Sequence, residues 1–351
     1  MSRKRVLDAM FLKPVDRVPC QEWVDHPDFI KHITGVDPFE FPTEAVVALL
    51  RELDLDWYGG VPKKAVKFEE GESKKDLGEG HYVSQWGFTG SHWSMEPPFH
   101  DDEQVLRYNP LEQTTFAERQ ERHRATVDGI MAQNAMMGDT TLILPTYYTT
   151  LFQSFILTFG WMMFLETAAA EPERFKHTVE WFTQISLEYT TYYAEHCDLP
   201  VYWSHDDLSI TRGLVFNPQW YRENIFPNYE RIFEPIKKAG KKVMFVSDGN
   251  YTDLVDDLVA VGVDGLVIDQ YVSLDWMMKR HGGKIAVIGN ADIGPLTFGT
   301  PRDVRREVKR CMDQAKRYPG YIIRCHGDLP QNIPLDNIKA YFDACKELGT
   351  F

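Results

Sequence analysis

From about residue 140 onward, short β-branched and aromatic runs that end in a polar residue or glycine alternate with longer stretches of helical period. That alternation confines the chain to parallel βα units. The runs are "TTLILPTYY", "PVYWSHDD", "KKVMFVSDG", "DGLVIDQ", "KIAVIGNAD" and "GYIIRCHG", and "DRVPCQEW" and "LDLDWYGG" supply two more near the start. Eight such strands predict a closed (β/α)8 barrel of the α/β class. Barrels of this kind use chains of 200 to over 400 residues as one unit, so residues 1–351 read as a single domain. The stretch from about 61 to 139 breaks the alternation. In it "HYVSQWGFTGSHWSM" predicts a hairpin and "FAERQERHRATVDGIMAQNAMM" an amphipathic helix, together an insertion or lid over the barrel mouth.

A net charge of −14 without any basic run gives phosphate backbones nothing to bind, so nucleic acid is an unlikely partner class on electrostatic grounds. No stretch approaches 18 uninterrupted apolar residues, and the opening residues hold no apolar core of signal-peptide length. Neither a membrane nor export is expected, and a cytoplasmic protein is. The five cysteines, Cys20, Cys197, Cys311, Cys325 and Cys345, are odd in number and lack C-x-x-C spacing, which fits a reducing compartment. Whether the chain forms a homodimer is left open.

Barrel chemistry sits at the carboxyl ends of the strands. The polar residues there are Glu22, Tyr147, Tyr148, His205, Asp206, Asp207, Asp248, Asp269, Gln270, Asn290, Asp292, Cys325, His326 and Asp328. Each alone is as well explained by a turn or a helix cap; their convergence favours a site. Asp206 and Asp207 are consecutive on a strand, so only one of them faces the interior. Tyr147 and Tyr148 make a wall for an aromatic substrate, against the plainer reading of core packing. Cys20 and Cys325 stand on strands that neighbour each other in a closed barrel, although cysteine is often just a small buried residue.

The motifs "LKPVDRVP", "WSHDDLSITRGLVFNPQWYRENIFPNYERI", "VSDGNYTDLV", "IGNADIGPLTFGTPRDVRREV" and "CHGDLPQNIPLDNIKAY", in this order, resemble the uroporphyrinogen decarboxylase superfamily, which holds the decarboxylase proper and corrinoid-linked methyltransferases. The decarboxylase's amino-terminal arginines are missing: Glu22 and Asp25 stand where cations would meet substrate carboxylates. His326 matches the histidine of that family's Gly-His-Gly segment. "PVDRVPCQEW" and "HITGVDPFEFPTEA" resemble the opening of the methyltransferase branch, whose zinc is held by a His-x-Cys pair and a late cysteine. Here Val246 and Asp248 occupy the His-x-Cys positions, and the late cysteine position falls near Gly327, two residues after Cys325.

Two readings of that gap stay open. Asp248 holds a metal with mixed ligands, together with Cys325 and His326 or with the His205-Asp206-Asp207 group, or the site is metal-free with Asp248 and His326 as acid and base. The resemblance implies a methyltransferase that moves a methyl group from a small methylated substrate, an aromatic methyl ether for instance, to a corrinoid (cobalamin) on a partner protein. Asp248, His326 and Asp207 are its expected catalytic residues, and Glu22, Tyr147, Tyr148, His205, Asp206 and Asn290 its expected substrate contacts. The alternatives are a decarboxylase and a non-catalytic binding subunit.

Overall fold

The computed structural model describes residues 2–69, 72–78, 81–85, 87–94 and 98–351. Parallel strands lie in seven of the eight runs and, for "DRVPCQEW", just past it: β1 Val24–Asp25, β2 Trp57–Tyr58, β3 Leu142–Ile143, β4 Val201–His205, β5 Lys242–Val246, β6 Gly265–Val267, β7 Ala286–Ile288 and β8 Tyr321–Ile322. The described residues group into two compact units. One comprises Met1–Met95, Gln133–Pro145 and Gly265–Phe351, the other Glu96–Ala132 and Thr146–Asp264.

In the first unit the lateral order is β3, β2, β1, β8, β7, β6. It is fixed by the parallel registers Trp57↔Leu142, Val287↔Tyr321 and Leu266↔Val287 and by the parallel bridges Gln21↔Trp57 and Cys20↔Ile323. The last strand of the chain thus lies beside the first, as closure of a (β/α)8 barrel requires. In the second unit β4 and β5 pair from Val201↔Lys242 to His205↔Val246, and Tyr147, just beyond β3, bridges Ser204 in parallel. Every residue of β4 is buried, which is why the run reads as apolar without alternation: a parallel strand is covered on both faces.

Helices occupy the stretches with helical period. Pro172–His196, Phe226–Lys238, Pro301–Ala315 and Leu335–Gly349 follow strands. Thr300 and Asp303 close a capping box at the start of Pro301–Ala315. No helix among the described residues is long and apolar enough to cross a membrane.

In the irregular region the expected helix runs Phe116–Met137, and the expected hairpin is the pair His81–Ser84 and Ser91–Ser94. Residues 86 and 95 of that hairpin lie outside the described residues. A third antiparallel strand, Lys74–Gly78, adds to its edge. The hairpin region returns to the end of β1, where Asp25 accepts from Phe88 N at 3.2 Å and from Thr89 Oγ1 at 3.1 Å. Gly87 makes this approach possible: its φ is +49°, and a Cβ there would lie 2.1 Å from the Asp25 carboxyl carbon.

Candidate active site

Side chains alternate between the two faces of a strand, so neighbouring residues of one motif meet different surroundings. On the run leading into β1, Cys20 and Glu22 turn toward the helical layer. The Cys20 thiol meets Cys345 of Leu335–Gly349 rather than Cys325. Glu22 is fully buried; its Oε1 accepts from the Cys325 amide at 2.6 Å and from the Tyr341 hydroxyl. Burial pushes the Glu22 carboxyl up to about 8, against the lowering effect of those two donors. Cys325 shares this face and is buried, and burial pushes its thiol well up. Asn290 is likewise turned to the helices. Its Nδ2 donates to Val272 O at 2.6 Å, and its Oδ1 accepts from Arg310 Nη2 at 3.1 Å. A cleft of about 520 Å³ beside it includes Gln270, Asp292, Glu307 and Arg310 in its lining, and its guanidinium is already paired, Arg310 with Glu307 at 2.6 Å.

The opposite face of the same unit carries a different set. Gln21, Trp23 and Asp25 alternate with Cys20 and Glu22; Arg324 and His326 alternate with Cys325. The Arg324 guanidinium lies over the Trp23 ring, 5.6 Å from its centroid. His326 Nδ1 stands 2.5 Å from Asp269 Oδ1, just past β6, and the Tyr271 ring meets the imidazole edge-on at 5.8 Å. The backbone fixes this histidine too, since its amide donates to Ala291 O at 2.9 Å. Asp269 is buried while the His326 side chain keeps 24% exposure, and Nδ1 faces the carboxylate. Sequence reading placed His326 and Asp269 at strand ends but passed over Gln21, Trp23 and Arg324; the parity of "CQEW" and "RCH" was the signal that could have found them.

In the second unit parity separates the consecutive aspartates. Asp206 is fully buried and holds the start of helix Phe152–Ala170, accepting from Leu151 N at 2.8 Å, Phe152 N at 2.7 Å and Gln153 N, with the Tyr229 hydroxyl as a fourth donor at 2.6 Å. Burial pushes its carboxyl up to about 6. Tyr147 also faces a helix, stacked on Tyr189 at 4.3 Å. His205 and Asp207 take the other parity: His205 Nε2–H donates to Asp207 Oδ1 at 3.0 Å, and Tyr148 stands edge-on to the imidazole at 4.4 Å. Asp207 Oδ1 also accepts from the Asp248 amide at 3.0 Å. Burial acts most strongly on the Asp207 carboxyl and raises it, but the hydrogen bond and charge of His205 and the Asp248 amide together hold it below the usual range.

Asp248 itself is exposed. In the turn that follows, Asn250 accepts from Thr252 N at 3.2 Å and Thr252 Oγ1 at 2.7 Å. Among the described residues no group of three or more His, Cys, Asp or Glu side chains is placed to hold a metal ion. Cys325 is on the helix-facing side of its strand, and burial pushes its thiol well up.

Comparison with known proteins adds the following. The family model described as uroporphyrinogen decarboxylase (URO-D) matches residues 150–348, more than half of the chain. The uroporphyrinogen decarboxylase of Alcanivorax borkumensis is 33% identical over 145 residues, 40% of this chain and 40% of that one. That of Thermus thermophilus is 30% identical over 137 residues, 38% of this chain and 39% of that one. The match thus spans about 40% of the length of these curated relatives. Among solved structures, a methyltransferase from Methanosarcina mazei superposes with a TM-score of 0.67 at 16% identity, covering 98% of both chains. That likeness shows the fold, and it extends over nearly the whole chain.

Proposed function

The chain belongs to the uroporphyrinogen decarboxylase family, and from that premise we propose that it is a methyltransferase, taking a methyl group from an aromatic methyl ether and delivering it to a corrinoid carried by a separate protein. The observation that carries this reading is the His326–Asp269 pair on the strand face turned away from the helices. Cleaving an aryl ether expels a phenolate, so the barrier falls if the departing oxygen receives a proton as the bond breaks. His326 Nε2 supplies that proton. Asp269, against Nδ1, fixes the ring's orientation and stabilises the imidazolium before transfer.

The balance is simple. The corrinoid, as co-substrate, brings the electron pair that forms the new bond to the methyl carbon. The carbon–oxygen bond breaks, its electrons stay on oxygen, and the His326 proton completes the phenol. Asp207 acts as a positioning residue, because it accepts from both His205 and the Asp248 amide and so fixes the two relative to each other.

Decarboxylation is the competing reading, favoured by the names of the curated relatives. A porphyrinogen with eight carboxylates is poorly matched to this face, where Asp25 and Asp269 outnumber the guanidinium of Arg324. The solved neighbour with the same fold over its whole length is a methyltransferase, which supports the first reading. Anaerobic incubation with cob(I)alamin and a panel of methoxy-aromatics should release the corresponding phenols and methylated cobalamin. Coproporphyrinogen from uroporphyrinogen, with no phenol from any donor, would replace methyl transfer by decarboxylation.

A further inference from the structure

Arg324 is 93% buried by its 7% relative exposure, yet its one hydrogen bond is a long one, Nη2 to Gly327 O at 3.4 Å, and it forms no ion pair among the described residues. Its other contact is the face of Trp23. A guanidinium withdrawn from water with most of its five donors unused is costly unless an anion completes it. One residue on from the Cys20↔Ile323 bridge, the register sets Gln21 beside Arg324, on the face that Trp23 shares. Gln21 is fully buried, and among the described residues neither Nε2 nor Oε1 has a hydrogen-bond partner. A buried side-chain amide without hydrogen bonds and a buried guanidinium with no ion pair among the described residues, its charge felt only at a distance by the buried Glu22 carboxyl, thus occur side by side, where most buried polar groups would be satisfied.

We propose that Arg324 and Gln21 form the anchor for a substrate carboxylate, and that the methyl donor is a methoxy-substituted aromatic acid. The planar guanidinium fork matches a planar carboxylate through two parallel N–H donors, and Gln21 Nε2 adds a third. Trp23 offers the aromatic ring of the substrate a flat wall. The length agrees as well. Arg324 and His326 are two residues apart in the run just past β8, about 6.6 Å along it if extended. A benzene ring spans that separation from a carboxylate at one end to an ether oxygen at the other, so an acid anchored at Arg324 presents its ether oxygen to His326. A single cation also fits one carboxylate and not eight.

The proposal rests on the methyl-transfer reading for the identity of the ether, while the anion site itself is tested without any reaction. Isothermal titration of the full-length protein with 4-methoxybenzoate, and with neutral 4-methoxytoluene, separates the two. The wild type should bind the acid about 100-fold more tightly than the neutral ether, and Arg324→Met should abolish that preference. Gln21→Leu should weaken binding of the acid about tenfold and leave the neutral ether unaffected.

A merely structural arginine would behave differently in a second measurement. Arg324→Met should match or exceed the wild type in thermal stability, because it removes a buried charge that has no partner, and 4-methoxybenzoate should raise the melting temperature of the wild type alone. Equal binding of acid and neutral ether by the wild type, a carboxylate preference that survives in Arg324→Met, or a lower melting temperature for that variant would each overturn the anchor. A carboxylate preference without methyl transfer to cob(I)alamin would uphold the anchor and remove the function; demethylation of neutral ethers as fast as of acids would do the reverse.

Discussion

Cys325 and His326 are adjacent in the chain but stand on opposite faces of their strand, one behind it against Glu22 and the other beside Asp269. The same one-residue alternation parts Asp206 from Asp207, and Glu22 from Gln21 and Trp23. Residue types at strand ends were legible in the sequence; their direction was not, because the ordered strands span only two to five residues and a shift of one reverses every side chain. Glu22, Tyr147, Asp206, Asn290 and Cys325 consequently hold the fold from the helical side, whereas Tyr148, His205, Asp207 and His326 take the other parity.

Two predictions belong at the residue scale. Asp269→Asn should lower kcat for phenol release about 10- to 100-fold with little change in KM, since it removes the group that orients His326 and none that touches the aromatic ring. Glu22→Gln should change the pH dependence of stability. The native Glu22 carboxyl sits near 8, above its unfolded value near 4.5, so its contribution is fully present below about pH 4.5 and is lost as pH rises toward 8. Denaturant melts of the variant should therefore show a shallower loss of stability between those limits, about 1.4 kcal/mol for each unit by which the carboxyl is displaced, while Gln Oε1 keeps the bonds to Cys325 N and Tyr341.

At the scale of elements, helix Phe152–Ala170 begins at Leu151 without a capping side chain of its own, and Asp206, 54 residues from Phe152, caps it instead. No local pattern announces a cap that comes from a different strand, which is why the aspartate looked like a ligand contact. Asp206→Ala would strand buried amides of Leu151, Phe152 and Gln153 together with the Tyr229 hydroxyl, and urea titration should register a loss of about 3 kcal/mol or more. The turn after β5 makes a second case. Gly249 has φ +83°, and a Cβ there would lie 2.6 Å from the Ile210 carbonyl. Gly249→Ala should cost about 1–3 kcal/mol in the same titration. The "DGN" of this turn was readable as a turn; that its glycine is needed for close passage of the hairpin Ser209–Ile210 and Gly213–Leu214 was not.

For the whole molecule, the βα alternation was enough to predict the fold class and seven of the strands, with the first displaced to just past its run, because parallel buried strands and the helices between them impose two different periods on the sequence. The chemistry was less legible. Motifs shared with a family bring the expectation of a metal, and Val246 and Asp248 in place of a His-x-Cys pair left that expectation open. Among the described residues the donors do not gather into a metal-binding group, so a chelator should leave phenol release unchanged and elemental analysis should find zinc well below one ion per chain. The central claim is that methyl transfer runs on proton delivery from His326, and the rate of 4-hydroxybenzoate release from 4-methoxybenzoate in the presence of cob(I)alamin tests it most directly. His326→Gln should slow that release about 10²- to 10⁴-fold with substrate affinity retained. Release at the wild-type rate by His326→Gln, or no release by the wild type itself, would contradict the account.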